Sequence, residues 1–362
     1  MSTIELRRIT KRFGSFTAVR DVDLSVAAGE VVCLLGPSGC GKTTTLRIIA
    51  GLERASSGDV VIAGKRVNSL KPEQRDIAMV FQFYALYPAL TVLENIMFPL
   101  YRERLSAAAA KARVARVADL LHLQGVLERR PGQLSEGEKQ RVAVARAVVR
   151  DPNCFLFDEP LSRLDVELRQ SMRSQIKTVL TDLSKATVIV THDQLEALTM
   201  SDRIAIMRDG VIEQVAPPHE VFTRPANVFV ASFIGTPQMN LLEADFGGMA
   251  DGKASFDVEG NHLWLPVDPA LQRLPKGKVT IGIRPRALMP VRAASPDALT
   301  SRAELIEPMG AETLVHARTD TGCDIRVVVP RDARVVSGEV LHLKTDVSQV
   351  HVFGADGRAV RT

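Results

Sequence analysis

Four short runs of apolar residues constrain the fold of this 362-residue chain more than any other feature. They occupy residues 31–35, 77–81, 155–157 and 188–190, and none of them alternates with polar residues. A strand that alternates buries one face, whereas a continuously apolar strand is buried on both faces, as in a parallel sheet covered by helices. Long helix-like stretches separate the runs, so the pattern predicts an α/β domain.

Each run ends at a glycine or at a polar residue. In chain order the residues that follow are Gly36, Gln82, the pair Asp158 and Glu159, and the pair Thr191 and His192. The carboxyl ends of parallel strands face the ligand crevice of an open sheet. We therefore expect these residues to surround one shared site.

The first run leads into a segment with the pattern G-x-x-x-x-G-K-[ST]. In such a loop successive backbone N–H groups face a phosphate, and the helix that follows adds positive potential. We expect Lys42 to reach the β- and γ-phosphates and the Thr43 hydroxyl to bind Mg²⁺. The residues that form this nucleotide-binding segment are Gly36, Pro37, Ser38, Gly39, Cys40, Gly41, Lys42, Thr43 and Thr44.

The other strand ends supply the remaining candidates. An acidic pair after a buried strand can place Asp158 near Mg²⁺ and Glu159 near an attacking water. The alternative is a pair that only ends a strand at the surface. His192 alone is more often structural, but beside these groups it becomes a candidate γ-phosphate donor. A strand-end glutamine such as Gln82 is usually only solvated, and its value as a candidate nucleotide and metal ligand comes from its position beside these groups.

A second helix start carries an anion-binding pattern. Ser135 is placed as the N-cap of a helix-like run that ends near residue 150. Its hydroxyl and the following amides would face an anion, although an ordinary capped helix has the same pattern. Because residues 36–43 already account for one set of phosphates, this second element suggests contact with another molecule's nucleotide.

Composition excludes several classes of protein. The formal net charge is only +4, which argues against a dedicated nucleic-acid binder. No stretch of roughly 18 apolar residues could span a membrane. The four cysteines show no C-x-x-C pair, so neither a disulfide framework nor a zinc site is expected.

The rest of the chain shows further sequence patterns. Residues 4–7 and 22–26 alternate with period two, which predicts antiparallel strands, and residues 82–150 are mainly helical, with Ser106 placed as an N-cap. After Pro237 short β-rich runs predict a small barrel or sandwich, with only loops and weak strands over residues 245–260.

Taken together and in this order, the motifs resemble those of the ATP-binding subunit of an ABC transporter. The matching elements are Phe13 for the aromatic residue that stacks on adenine, residues 36–43 for the Walker A loop, Gln82 for the loop glutamine, residues 134–140 for the signature, Asp158 and Glu159 for the Walker B pair, residues 162–165 for the D-loop and His192 for the switch histidine. The resemblance covers residues 1–235.

The resemblance implies a fold. Residues 1–235 would form a P-loop ABC ATPase domain, with a mixed sheet core, an antiparallel β edge and a helical subdomain inserted at about residues 83–150. Residues 236–362 would form a small all-β domain similar to an OB barrel.

It also implies a function and partners. The chain would hydrolyse ATP with Mg²⁺ to drive solute import, with Lys42, Glu159 and His192 as catalytic residues. Two copies would form a homodimer in which Ser135 and Gly137 of one copy face the ATP of the other. Separate permease subunits and, through them, an extracytoplasmic solute-binding protein would complete the importer, without nucleic acid. The chain would lie on the cytoplasmic face of the inner membrane.

A narrower resemblance concerns the solute. Residues 81–88, 191–194, 233–240 and 282–285 resemble importers of the maltose and sn-glycerol-3-phosphate type, which carry a TOBE-like regulatory domain at the carboxyl end. A sugar or sugar-phosphate-like solute is implied. Importers of polyamines, iron or sulfate share the layout and remain alternatives.

Three residues depart from the family pattern. Glu136 and Glu138 replace the first glycine and the glutamine of the signature, and Arg163 replaces a small or amide residue of the D-loop. Carboxylates near a nucleotide phosphate repel it, and Arg163 would offset part of that charge. A degenerate subunit that binds ATP but hydrolyses it weakly is therefore a second interpretation. A non-transport ABC ATPase would need a coiled coil or tandem ATPase units, and the sequence has neither.

Overall fold

The computed structural model describes residues 3–103, 105–250, 252–266, 269–295 and 298–361. The chain divides into two compact units, Met1–Pro218 and His219–Thr362. A domain boundary at residue 235, where the sequence pattern changes from α/β to short β-rich runs, stays a prediction. None of the helices in the described ranges is both long and apolar enough to span a membrane.

Among its described residues, the first unit contains ten strands and six α-helices. The strands are β1 (Ile4–Phe13), β2 (Phe16–Val26), β3 (Val31–Leu35), β4 (Ser57–Ile62), β5 (Lys65–Arg66), β6 (Ile77–Val80), β7 (Cys154–Asp158), β8 (Ala186–Thr191), β9 (Arg203–Arg208) and β10 (Val211–Ala216). The helices are α1 (Lys42–Ala50), α2 (Val92–Met97), α3 (Ala107–Leu120), α4 (Glu136–Val148), α5 (Val166–Leu183) and α6 (Gln194–Met200).

The four apolar runs form neighbouring strands of one sheet. Its order is β10-β9-β3-β8-β7-β6, and only β10 runs antiparallel to its neighbour. Every residue of β3, β7 and β8 is buried. The expected parallel sheet is confirmed, and the carboxyl ends of β3, β8, β7 and β6 lie side by side.

The two faces of this sheet pack into different hydrophobic clusters. Phe155 and Phe157 of β7 pack with residues of α2 to α5 on one face. Cys154 and Leu156 pack with α1 and the antiparallel strands on the other. Successive side chains of a strand point to opposite faces, so both sets must be apolar where both faces are covered. This double cover explains why the runs do not alternate.

A second sheet of the first unit has the order β2-β1-β4-β5 and is antiparallel throughout. Ile4, Leu6, Leu24 and Val26 are buried, and they alternate with more exposed residues. The antiparallel strands expected near the amino end are therefore confirmed.

Three helices of the predicted helical region begin at capping side chains. The Thr91 and Ser135 hydroxyls accept the backbone N–H of Glu94 and Glu138, and each glutamate side chain returns to the backbone of its cap. Ser106 accepts the N–H of Ala109 at 3.2 Å. Such side chains satisfy helix amides that have no partner within the helix, so local sequence defines these helix starts.

The second unit is mainly β-structure. It contains β11 (Asn240–Ala250), β12 (Lys253–Val258), β13 (Asn261–Pro266), β14 (Gly277–Ile283), β15 (Leu288–Val291), β16 (Leu299–Pro308), β17 (Glu312–Thr319), β18 (Asp324–Pro330), β19 (Val340–Thr345), β20 (Val350–Phe353) and β21 (Ala359–Arg361). Two short helices, α7 (Pro218–Thr223) and α8 (Val228–Phe233), precede the strands, and α7 begins at the division between the units.

These strands form two antiparallel sheets with the orders β13-β12-β11-β14-β20-β21 and β15-β19-β16-β17-β18. Both sheets contribute to one hydrophobic cluster, so the all-β region expected after Pro237 is confirmed. By contrast, β11 and β12 pair as an antiparallel hairpin, with a register shift between Phe246 and Gly248, where only loops and weak strands were expected. Gly247 and Gly248 interrupt its sequence pattern, although Ala244 and Phe246 are buried in alternation.

Arg284, in the Gly-Ile-Arg-Pro element, connects the two short helices to the β-structure. It is 9% exposed, and its guanidinium donates to the carbonyl oxygens of Phe222 at 2.8 Å, Ala231 at 3.4 Å and Ile234. Burial lowers the pKa of Arg284 to about 10. These hydrogen bonds explain why the residues just after position 218 belong to the second unit.

Asn95 provides a test of the helical region. Its side chain is fully buried, accepts the N–H of Tyr87 at 2.9 Å, and donates to the carbonyls of Tyr87, Leu90 and Thr91 at 2.9–3.1 Å. Asn95→Ala leaves these backbone groups without partners, and we expect a loss of about 2 kcal/mol in the free energy of opening of α2. Hydrogen exchange of the α2 amides measures this, and Asn261→Ala, which removes a single bond in the second unit, serves as the control. Unchanged exchange in Asn95→Ala would contradict the expectation.

Candidate functional site

The phosphate loop, residues 36–43, connects β3 to α1. Gly39 and Gly41 have φ values of 79° and 103°, which favour glycine. A Cβ on Gly36 would lie 2.2 Å from the carbonyl oxygen of Met207, so a side chain there is excluded by backbone. No side chain caps α1 at Gly41, and its first amides therefore stay available to an anion.

Lys42 is held against this loop. Its Nζ donates to the carbonyl oxygens of Gly36 and Pro37, both at 2.8 Å, and lies 3.7 Å from Cys40 Sγ. The residue is only 6% exposed. A poorly hydrated ammonium group is thus placed among amides that can face a phosphate, and both kinds of donor attract negative charge.

Thr43 and Asp158 meet at the start of α1 and the end of β7. Thr43 Oγ1 donates to Asp158 Oδ1 over 3.3 Å. Burial raises the pKa of Asp158, the charge of Glu159 adds to this effect, and Thr43 and Arg47 oppose it. A buried carboxylate whose ionised form is destabilised gains from a bound cation. A hydroxyl and a carboxylate are also oxygen ligands of the kind that Mg²⁺ takes together with phosphates, so this pair fits the ion.

Glu159 follows β7 in an uncommon backbone conformation. Its φ is 47°, in the left-handed region, and its N–H donates to the carbonyl of Val190 at 2.9 Å. A left-handed non-glycine residue costs on the order of 1–3 kcal/mol and is found mainly where function requires it. The conformation supports a functional role for this carboxylate.

The Glu159 carboxylate is the centre of a polar cluster. Gln82 Nε2 donates to Glu159 Oε2 at 3.3 Å, and His192 Nδ1 lies 3.2 Å from Oε1. Ser162 accepts a hydrogen bond from Gln82 at 3.4 Å and donates to the Glu159 carbonyl at 3.1 Å. The ends of β6, β7 and β8 therefore meet at one place. Since the Gln82 amide faces Glu159, its part in metal binding stays a prediction.

The segment around His192 is held by Thr191, which was expected at the site, and by three residues that the sequence argument did not single out: Asp193, Glu196 and Arg169. Thr191 Oγ1 donates to buried Glu196 at 2.7 Å and accepts the N–H of Asp193 at 3.0 Å. Asp193 accepts from Glu196 N at 3.0 Å and from Arg169 Nη1 at 3.1 Å. The spacing Asp-x-x-Glu is a helix-start signal that could have identified this arrangement.

The second candidate anion-binding element is the start of α4. Ser135 Oγ accepts Glu138 N at 3.3 Å and donates to Glu138 Oε2 at 2.9 Å, while Ser135 N donates to the same carboxylate at 2.7 Å. These bonds lower the pKa of Glu138. Glu138 thus completes a capping box at the position where the family pattern has glutamine. A Cβ on Gly137 would lie 2.7 Å from the Leu168 side chain.

The remaining candidate residues lie apart from this cluster. In the part of the chain that the structure describes, Ser135 and Gly137 make no hydrogen bond to the phosphate loop, Asp158 or Glu159. Phe13, at the end of β1, is 47% exposed, and Lys11 Nζ lies 4.6 Å from its ring centroid. An open aromatic face of this kind can stack on a planar ligand.

Asp158→Asn tests the electrostatics of the site through pH-dependent stability. The folded pKa of Asp158 is raised above its ordinary value of 3.8, so its contribution to stability is present below that pH and is lost as pH rises through the folded pKa. We expect Asp158→Asn to gain stability relative to the native chain over this interval. Urea unfolding from about pH 3.5 to 7 without Mg²⁺ measures the difference, with Asp182→Asn as the control. A difference that does not depend on pH would contradict this account.

Comparison with known proteins places these features in context. Residues 19–162 match the family model described as ABC transporter, and residues 281–353 match the model described as TOBE domain. The chain is 44% identical over 362 residues to the sn-glycerol-3-phosphate import ATP-binding protein UgpC 1 of Rhizobium johnstonii, covering 99% of this chain and 96% of that protein. It is also 44% identical to the sulfoquinovosyl glycerol transport ATP-binding protein SmoE of Agrobacterium fabrum, with 98% of each chain covered.

Solved structures agree with the sequence comparison. The dimeric structure of MJ0796, a bacterial ABC transporter cassette, aligns with a TM-score of 0.54 at 33% identity, covering 59% of this chain and 98% of that one. A dimeric post-hydrolysis state of the same cassette, bound to ADP and Pi, aligns with a TM-score of 0.53 at 32% identity and the same coverage.

Proposed function

Since the chain belongs to the ABC transporter family of import ATP-binding proteins, we propose that it couples ATP hydrolysis to the import of a sugar or sugar-phosphate-like solute. One observation carries the chemistry. The phosphate loop, the Thr43–Asp158 pair and the Glu159 cluster all lie at the carboxyl ends of neighbouring parallel strands. The import role is supported by full-length similarity to proteins named for sn-glycerol-3-phosphate and sulfoquinovosyl glycerol.

ATP is bound by the loop amides and the side chains beside them. The amides of residues 36–43 and the Lys42 ammonium hold the phosphates, and Phe13 stacks on the adenine. Thr43 and Asp158, with Gln82, would hold Mg²⁺. The bound ion would neutralise charge that develops on the phosphate oxygens.

Glu159 acts on the attacking water. Its carboxylate accepts a proton from the water or orients it, while the Gln82 amide and His192 keep the carboxylate in place. His192 is also able to donate to the γ-phosphate, since its side chain is more than half exposed. Catalysis of phosphoryl transfer depends mainly on such positioning and on electrostatics.

The active form that we propose is a head-to-tail homodimer. Among the described residues, no hydrogen bond joins Ser135 or Gly137 to the phosphate loop of their own chain, and the start of α4 offers a second set of helix amides to an anion. In the dimer, this element of one copy faces the γ-phosphate bound by the other. The similar cassette is itself described as dimeric, which supports this arrangement.

The path across the membrane belongs to other subunits. We propose that permease subunits bind beside residues 82–100, where Phe83, Tyr87 and Phe98 are exposed. A cleft of about 180 Å³ in this region is lined partly by Tyr84 and Arg146. The chain would then lie on the cytoplasmic face of the inner membrane, and an extracytoplasmic solute-binding protein would deliver the solute to the permease.

The altered signature fits an active enzyme. Glu138 is engaged by its own capping box, and Glu136 is paired with Lys139 at 2.7 Å, so both carboxylates have local partners. Lys42, Asp158 and Glu159 are all retained. We therefore favour a hydrolysing subunit over a degenerate one.

Glu159→Gln tests the catalytic assignment. The amide keeps the size of the side chain but removes the proton acceptor, so we expect nucleotide affinity within about threefold of the native value and a loss of at least about 100-fold in kcat. Equilibrium binding of a fluorescent ATP analogue and steady-state phosphate release measure the two. Exposed Glu128→Gln is the control. Native turnover in Glu159→Gln would refute the assignment.

Tyr87→Asp tests the permease surface. The Tyr87 ring centroid lies 4.4 Å from that of Phe98 and 4.7 Å from the Arg146 guanidinium carbon. A carboxylate there removes apolar contact area, so we expect a loss of at least about tenfold in ATP-driven uptake by the reconstituted importer, with ATP binding by the isolated chain unchanged. Tyr87→Phe keeps the ring and should transport normally. Full uptake by Tyr87→Asp would place the contact elsewhere.

A further inference from the structure

Two successive residues after β6 contact two successive residues after β7. Gln82 donates to Ser162 Oγ at 3.4 Å, and the next residue, Phe83, has the guanidinium carbon of Arg163 4.2 Å from its ring centroid. The same Gln82 amide donates to the Glu159 carboxylate at 3.3 Å. The Phe83–Arg163 contact therefore lies next to the Gln82–Ser162 contact along both chain segments. The Gln82–Ser162 contact, in turn, holds the Gln82 amide beside the Glu159 carboxylate.

The segment that carries Gln82 needs such support. Tyr84 and Ala85 have φ values of 33° and 52°, so two consecutive residues with side chains occupy the left-handed region. Residues other than glycine rarely adopt this conformation, and it persists only where the surroundings impose it. On the far side of the strained pair Arg146 stacks on Tyr87 at 4.7 Å and donates to the Ala85 carbonyl. On the amino-terminal side of the pair, Arg163 contacts Phe83 in the same way that Arg146 contacts Tyr87.

Charge balance with Glu136 is the competing explanation for Arg163. Glu136 already has an ion pair with Lys139 at 2.7 Å, whereas no ion pair joins it to Arg163 among the described residues. Lys139 makes the largest contribution to the lowered pKa of Glu136, the Tyr84 side chain comes next, and the charge of Arg163 contributes less than either. Phe83, by contrast, is 65% exposed and has the Arg163 guanidinium in van der Waals range of its ring.

We propose that Arg163 is a positioning residue for ATP hydrolysis, which holds Gln82 at Glu159 by stacking on Phe83. A planar guanidinium over an aromatic ring restrains both partners, and the restraint passes through one peptide unit to Gln82. The inference rests on the proposed function, in which Glu159 acts on the attacking water. It also explains the arginine at a D-loop position where the family pattern has a small or amide residue.

The test is a double-mutant cycle on the purified full-length chain. Arg163→Gln and Phe83→Leu should each lower kcat for MgATP hydrolysis about fivefold, as expected for an exposed cation–π contact, and should leave KM within about twofold. The double variant should be no slower than either single variant, because both remove the same contact. Phe83→Tyr should keep native kcat, and exposed Arg116→Gln on α3 is the matched control.

Several results would overturn the proposal. Native kcat in Arg163→Gln, or losses that multiply to about 25-fold in the double variant, would show that the stack does not act in catalysis. Restoration of Arg163→Gln by Glu136→Gln would assign Arg163 to charge balance. If Arg163→Gln has a lower melting temperature, Arg163→Lys replaces it in the cycle, and its kcat should lie between that of the native chain and that of Phe83→Leu.

The same assay separates this inference from the proposed function. Native turnover in Glu159→Gln, or no turnover in the native chain, would refute the catalytic assignment itself. Loss of turnover in Glu159→Gln together with native kcat in Arg163→Gln and Phe83→Leu would refute only the role of Arg163.

Discussion

The site depends on the pairing of four parallel strands in the order β3-β8-β7-β6. Hydrogen bonds between these strands bring their carboxyl ends to one edge. The phosphate loop and His192 follow β3 and β8 directly, Asp158 ends β7 and is followed by Glu159, and Gln82 lies two residues after β6. A slip of one residue would move every side chain of a strand to the other face, so the different packing partners of the two faces select the register. The packing of the hydrophobic core therefore also fixes the positions of the site residues.

Several groups at this edge of the sheet are held in unfavourable states. Burial raises the pKa of Asp158, Glu159 adopts a left-handed backbone, and Tyr84 and Ala85 are strained in succession. A folded chain retains such features only when its packing outweighs them. In the proposed mechanism each feature has a use: Asp158 gains from a bound cation, the backbone of Glu159 directs the base, and the loop of Tyr84 and Ala85 responds to its contacts.

Much of the fold and of the candidate site could be predicted from the sequence. The apolar runs predicted the parallel sheet, and the glycine pattern predicted the strand–loop–helix around Lys42, because both depend on local composition and spacing. The pairing of β11 with β12 was expected only as loops and weak strands, because two glycines and polar residues hide its alternation. The contacts of Thr191 with Glu196 and of Asp193 with Arg169 were also missed, since the latter pair is 24 residues apart in the chain.

The sequence by itself determined the secondary structure around the site and the types of residue at the strand ends. Apolar periodicity, capping residues and glycine positions act over a few residues, so they can be read along the chain. Only the tertiary structure decided which side chains meet: Gln82 with Glu159, 77 residues later, and Phe83 with Arg163. Such partners are selected by the order of strands in the sheet, and that order results from packing across the whole domain.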